Sequence, residues 1–121
     1  MKSSQIKTLD KLFAHLIQLR SNGYCEYCHK YVKLEGINPS HFHGRRMKSV
    51  RWDEDNVHGI CTPCHQAFHN NFCTYITWVE KRLGEERYDD LLSRAVNITK
   101  LDYEDVKAQI QNRIKEIECT R

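Results

Sequence analysis

Two Cys-x-x-Cys pairs constrain the fold of this sequence more than any other feature. The first pair spans Cys25–Cys28 and the second spans Cys61–Cys64, with residues 29–60 between them. Each pair can present two thiolates to one metal ion, and two pairs complete the tetrahedral shell of Zn²⁺ at about 2.3 Å per sulfur. Four buried free thiols are the alternative, but they would make the doubled spacing a coincidence. The spacing therefore predicts a structural zinc ion with four ligands: Cys25, Cys28, Cys61 and Cys64.

Length and composition predict a single small domain. The chain has 121 residues, of which 40% are hydrophobic, and this allows a modest core. It contains no apolar run near the roughly 18 residues of a membrane span, and its first residues lack the apolar stretch of a secretory signal. We therefore expect a cytoplasmic protein without a membrane partner, whose cysteines bind metal instead of forming disulfides. The net charge of +3 permits a polyanionic partner but does not require one.

Helical periodicity is clear on both sides of the cysteine pairs. Apolar residues from Ile6 to Leu19 predict an amphipathic helix that Gly23 ends. After the second pair, Thr62 as a cap and Pro63 in the first turn predict a helix that runs to about Asn70. Two more helices are predicted over residues 75–83, ended by Gly84, and 86–95.

A last helix is predicted after a cap at Asp102 or Thr99. Its apolar residues form a narrow stripe: Val106, Ile110, Ile114 and Ile117. Such a stripe can dock on the core of the same chain or pair with a second subunit. A homodimer through the C-terminal helix is therefore one of two options.

The helical period disappears over residues 24–52, where glycines and Asn38-Pro39 separate short extended pieces around Tyr31-Val32 and His41-Phe42. We expect a two-stranded, loop-rich unit there. The predicted fold class is thus α+β, with one domain over 1–121. It comprises an N-terminal helix (1–23), a zinc-bound core (24–72) and a helical extension (73–121).

Two histidines follow the second cysteine pair at helical spacing. His65 and His69 are four residues apart, so they project from nearly the same face of the predicted helix and can share a metal ion. Cys64 and His65 are about 100° apart around a helix, so both cannot easily reach one ion. The residues therefore predict two separate metals, one held by cysteines and one by histidines.

The stretch Ser40–Trp52, called the basic segment below, contains four Lys or Arg residues and no carboxylate. A solvated charge run is the usual explanation for such a stretch. Its position beside candidate metal ligands favours contact with phosphate groups instead. The candidate phosphate-binding residues are Arg45, Arg46 and Lys48.

The order of these motifs resembles that of the HNH endonucleases, which have a zinc-bound, treble-clef-like ββα-metal fold. The resemblance covers residues 24–72 and rests on five pieces in sequence: the first cysteine pair, Ser40-His41, Asp55-Asn56-Val57-His58, the second cysteine pair, and His65 with His69. Up to about Ala95 the sequence is more narrowly similar to the lambda NinG (Rap) family of phage recombination endonucleases. The resemblance implies a hydrolase that cuts DNA, with branched recombination intermediates such as Holliday junctions as substrate.

The resemblance also implies a role for each site residue. His41 is the general base, Asn56 braces the loop that holds His41, and His65 and His69 bind a catalytic divalent cation, Mg²⁺ or Mn²⁺ or else Zn²⁺. These roles fit phosphodiester hydrolysis, since a neutral imidazole can deprotonate water at pH 7 and a cation can stabilise charge on phosphate oxygens.

One position departs from the HNH pattern. Many HNH enzymes have Asp or His before the general base as a further metal ligand, whereas this chain has Ser40, a poor ligand. His43 can take that place, or water can complete the shell. A reversed assignment, with His41 as ligand and His43 as base, is a further alternative. The departure also keeps a second function open, a zinc-stabilised DNA-binding module without nuclease activity.

Overall fold

Five α-helices and a two-stranded sheet make up the computed structural model, which describes residues 1–121. In chain order the elements are α1 (Ser3–Ser21), β1 (Asn38–His41), β2 (Val57–Ile60), α2 (Thr62–Asn70), α3 (Phe72–Leu83), α4 (Glu85–Val96) and α5 (Tyr103–Cys119). The predicted α+β class is confirmed. None of the helices combines the length and the apolar composition that a membrane span requires.

The two strands pair antiparallel, with Asn38 opposite Ile60 and His41 opposite Val57. Of the two extended pieces predicted from the sequence, the one around Tyr31-Val32 is not a strand, because Tyr31 forms only an isolated bridge with Tyr24. The first strand ends at His41, and the second strand, β2, was not predicted. The sheet thus brings residues from both sides of the basic segment into register.

The core consists of two groups of buried side chains. The first, called the knuckle cluster, joins the cysteine region to β2 and helices α2–α4: Cys25, Phe42, Val50, Ile60, Cys61, Phe68, Tyr75, Val79, Leu83, Leu91 and Ala95. The second, called the α1–α5 cluster, packs the two terminal helices against the sheet: Leu9, Phe13, Leu16, Ile17, Ile37, Val57, Val106, Ile110, Ile114 and Ile117. Strand β2 thus contributes to both clusters, with Val57 in the second and Ile60 in the first.

The apolar stripe of α5 docks on α1 within the same chain. All four stripe residues, from Val106 to Ile117, are buried in the α1–α5 cluster. Of the two predicted options, docking within the chain or pairing with a second subunit, the structure shows the stripe docked on the core of the same chain. A homodimer stays a prediction, and it would need a different surface.

The predicted helices are confirmed, but several of their ends differ. Asn22, with φ of 55°, adopts the left-handed conformation that ends α1, one residue before the predicted Gly23. Cys61, not Thr62, precedes the first turn of α2. Helix α3 begins at Phe72 because Asn71 caps it, its side chain accepting a hydrogen bond from the Thr74 backbone.

Helix α1 is tied to the sheet by hydrogen bonds and by close packing. The Arg20 guanidinium pairs with Glu26 at 2.7 Å and donates to the backbone oxygen of Val57, also at 2.7 Å. Gly59 permits the close approach of the helix, since a Cβ at this position would lie 3.0 Å from Ile17 Cγ2. The N-terminal helix is therefore an integral part of the fold.

Candidate metal centre and active site

The four predicted cysteine ligands lie together at the junction of the first loop with β2 and α2. Their sulfur atoms all lie within 4.8 Å of one another, and Cys28 Sγ is 3.8 Å from Cys61 Sγ. Sulfurs at the corners of a tetrahedron with zinc bonds of about 2.3 Å are separated by about 3.8 Å. The predicted group therefore has the composition and spacing of a structural zinc site.

The electrostatics of the sulfurs also favours a cation. Burial alone would raise the pKa of Cys25, but backbone N–H groups of Cys28, Cys61 and Tyr27 lower it to about 7. Burial, the other thiols and the neighbouring Cys25 thiolate together raise the pKa of Cys64. Four sulfurs this close cannot all carry negative charge unless a metal ion compensates it.

The two predicted histidine ligands lie on α2, four residues apart. His65 and His69 are both exposed, whereas Phe68 between them is buried in the knuckle cluster. The four cysteines form the sole group of three or more potential ligands, so no further His, Cys, Asp or Glu joins this pair at such close range. Any ion held here would have most of its shell open to water or substrate.

His41 is the last residue of β1, and its ring is fixed by the backbone. Its Nε2 atom lies 3.0 Å from the carbonyl oxygen of Arg51. Because a carbonyl oxygen only accepts, Nε2 carries the proton and Nδ1 keeps a free lone pair. Burial and the nearby Arg45 charge lower the pKa of His41 below its usual 6.5. The imidazole is therefore neutral at pH 7.

The Ser40 side chain is directed into the fold. Ser40 is buried, and the Tyr75 hydroxyl lies 3.0 Å from its Oγ atom and 3.2 Å from its carbonyl oxygen. The ring of Tyr75 in turn stacks on Phe68 of α2, with 4.3 Å between ring centroids. These contacts connect β1 to α2 through Tyr75. The Ser40 hydroxyl is already engaged in a hydrogen bond with Tyr75.

Asn56 joins the two ends of the basic segment. It is fully buried, its amide nitrogen donates to the backbone oxygens of His43 and Val50, and its Oδ1 accepts from the His43 N–H at 2.7 Å. The His43 ring has a buried Nε2 atom without a hydrogen-bond partner, and burial lowers its pKa. One ring nitrogen of His43 is thus both buried and unpaired.

The cationic side chains of the basic segment differ in their partners. Arg51 is paired with Asp10, at 2.6 Å. The candidate DNA-binding residues are exposed and make no ion pair: Arg45, Arg46 and Lys48. The Ser49 hydroxyl donates to the backbone oxygen of Arg94 at 2.6 Å and anchors the segment to α4. A cationic surface is thus held on a fixed loop.

Comparison with known protein families identifies the chain. The family model described as the bacteriophage lambda NinG protein matches residues 1–119. The chain belongs to the NinG family. The similarity noted in the sequence up to Ala95 is therefore confirmed, and the family match extends over both terminal helices. No curated protein and no solved structure matches the chain.

Sequence reasoning missed three partners of the site. Arg51 was noted as a cation, yet it is its backbone carbonyl that holds His41. Tyr75 was read only as a helical residue, and Asp10 was not singled out. A carbonyl contact leaves no signal in residue identity, and contacts between distant segments cannot be read from local spacing.

Proposed function

We propose that this chain is a metal-dependent HNH endonuclease that hydrolyses phosphodiester bonds in DNA. The observation that carries the proposal is the fixed ring of His41, neutral at pH 7 and with Nδ1 free to accept a proton. In-line hydrolysis needs a base of this kind to deprotonate the attacking water. The products would carry 5′-phosphate and 3′-hydroxyl ends.

His65 and His69 would hold the active-site cation. Bound there, a divalent cation would stabilise the negative charge on the phosphate and leaving oxygens. Two imidazoles suit Mn²⁺ or Zn²⁺ better than Mg²⁺, which prefers oxygen ligands. His43 is the alternative for a third ligand or for the base, but its unpaired Nε2 atom is buried and does not form a close group of three with His65 and His69.

Asn56 and the exposed cations would support the reaction without taking part in proton transfer. The Asn56 amide binds the backbone at His43 and Val50, and so keeps the loop after His41 in one conformation. Arg45, Arg46 and Lys48 would contact neighbouring phosphates and position a strand without reading its bases. Membership in the NinG family favours branched recombination intermediates as the substrate.

The test is a cleavage panel on linear, nicked, forked and four-way DNA with Mn²⁺ or Mg²⁺. We expect wild-type protein to cut and His41→Ala to lose about 10²- to 10⁴-fold in rate, the usual contribution of a general base. His65→Ala should lose cleavage but keep its cysteine-bound zinc and its fold. His15→Ala, which removes an exposed histidine of α1, is the control and should cut normally. Equal cleavage by wild type and His41→Ala would sink the proposal.

A second candidate function is a zinc-stabilised DNA-binding module without nuclease activity. The engagement of the Ser40 hydroxyl by Tyr75 and the absence of a third ligand beside His65 and His69 favour it. The same panel separates the two functions. Metal-independent DNA binding by wild type and His41→Ala alike, with no cleavage by either, would identify the binding module.

A further inference from the structure

Asp10, on the N-terminal helix, lies outside the segment that resembles HNH enzymes and binds two consecutive residues of the basic segment. Its Oδ2 accepts from Arg51 Nη2 at 2.6 Å, and its Oδ1 accepts from Arg51 Nε at 3.0 Å and from Trp52 Nε1 at 2.9 Å. A bidentate guanidinium–carboxylate pair fixes orientation as well as distance.

The residue that Asp10 holds is the one whose backbone contacts the His41 ring. The carbonyl oxygen of Arg51 lies 3.0 Å from His41 Nε2. Arg51 and Asp10 are both largely shielded from solvent, with 14% and 24% of their side chains exposed. The backbone of Arg51 is therefore held by its own side chain against α1.

Resting on the function proposed above, we propose that Asp10 is a positioning residue for His41. By holding the side chains of Arg51 and Trp52, it fixes the Arg51 carbonyl, and that carbonyl fixes the tautomer and orientation of the His41 ring. This role links α1 to the reaction, whereas a purely structural ion pair would affect only stability.

Although burial alone would raise the pKa of Asp10, hydrogen bonds from Arg51 and Trp52 lower it below its usual value. The carboxylate is therefore ionised at neutral pH and keeps both acceptor oxygens. Asp10→Asn replaces one acceptor with an amide that cannot accept from Arg51, while the side chain keeps nearly the same size.

The experiment compares Asp10→Asn, Asp10→Glu and Leu12→Ala in the 121-residue, zinc-loaded chain. Leu12 is a half-buried residue of the same helix and contacts the α1–α5 cluster. Leu12→Ala should therefore lower the stability of the fold, as Asp10→Asn does, but it leaves the Asp10–Arg51 ion pair in place. Two readouts are used: cleavage kinetics under saturating DNA, and the His41 tautomer from long-range ¹H–¹⁵N spectra, assigned by comparison with His41→Gln.

We expect Asp10→Asn to lower kcat by roughly 10- to 100-fold under saturating DNA, since small displacements of a reacting group cost rates of this order. Its His41 signals should shift from a single Nε2–H tautomer to a mixture. Asp10→Glu should be intermediate, because it keeps the charge but displaces it. Leu12→Ala should keep the wild-type kcat and tautomer.

Two results would overturn the proposal: Asp10→Asn with wild-type kcat and tautomer, or Leu12→Ala with the same loss of kcat as Asp10→Asn. Failure of the proposed function is a distinct result. If the wild-type protein cuts no DNA, the endonuclease proposal fails, and the tautomer spectra alone then decide whether Asp10 positions His41.

Discussion

At the scale of single residues, His58 shows how the fold sets a protonation state. It is the second residue of β2 and is 1% exposed, and neither ring nitrogen has a hydrogen-bond partner. Its ring packs against Trp78, with 5.1 Å between centroids. Burial, together with the charges of Arg82 and Arg20, lowers its pKa well below 6.5. The folded protein therefore holds a neutral imidazole.

This depressed pKa predicts a loss of stability in acid. Because the unfolded chain binds a proton near pH 6.5 and the folded chain does not, the contribution of His58 is complete above pH 6.5. It decreases as pH falls below 6.5, by about 1.4 kcal/mol per pH unit, until the folded pKa is reached.

Denaturant unfolding of wild type and His58→Phe between pH 5 and 8, at saturating zinc, measures this effect. Protonation of the zinc ligands affects both proteins alike, so the difference between the two curves isolates His58. Parallel curves for wild type and His58→Phe would contradict the prediction.

At the scale of elements, helices could be predicted from the sequence far better than strands. Apolar periods and start signals such as Pro63 located all five helices, including α5, whose cap at Asp102 is confirmed by its hydrogen bond from the Asp105 backbone. Strand β1 has four residues and contains Pro39, which reads as a turn. A two-stranded sheet accepts proline because an edge strand does not pair every N–H group.

Those parts of the candidate site that consist of residues close together in the sequence could be predicted. Those that depend on contacts between distant residues could not. The four cysteine ligands were predicted from two short motifs. The shared helix of His65 and His69 was predicted from their spacing of four residues. The contacts that orient His41 connect it to Arg51, ten residues later, and connect Arg51 to Asp10 of α1, 41 residues earlier. Only the folded chain brings them together.

The exposed cations of the basic segment allow a prediction about DNA binding. Arg45, Arg46 and Lys48 have no carboxylate partner, so each can replace a counterion of DNA when it contacts a phosphate. Arg45→Ala should weaken binding to all DNA sequences alike and reduce the slope of log affinity against log salt by about 1.

The measurement is a salt titration of binding to four-way and linear DNA without divalent cations. Arg87→Ala is the matched control, because that guanidinium is already paired with Asp55. We expect its salt slope to remain that of wild type. An unchanged slope for Arg45→Ala would place the phosphate contact elsewhere on the molecule.

At the scale of the whole molecule, the two core clusters meet in one short strand. Val57 belongs to the α1–α5 cluster and Ile60 to the knuckle cluster, although both lie in β2. Cys61 follows directly and is the N-cap residue of α2. The cysteine site therefore lies where the two halves of the core join, and loss of its metal should affect both.

Removal of zinc should consequently unfold the chain in one transition. Four-sulfur sites supply an apparent binding free energy of about 10 to 16 kcal/mol, which is as large as the stability of a typical small domain. Tryptophan fluorescence reports on both clusters, since Trp78 packs against the knuckle cluster and Trp52 against the α1–α5 cluster, and far-ultraviolet circular dichroism reports on all helices, including α1 and α5. Titration with a strong chelator should change both signals together, and Cys61→Ser should lack both zinc and cooperative unfolding. Cys73→Ser, at an exposed thiol outside the site, should match wild type. A chelated protein that keeps its helical signal would show that the α1–α5 cluster folds without the metal.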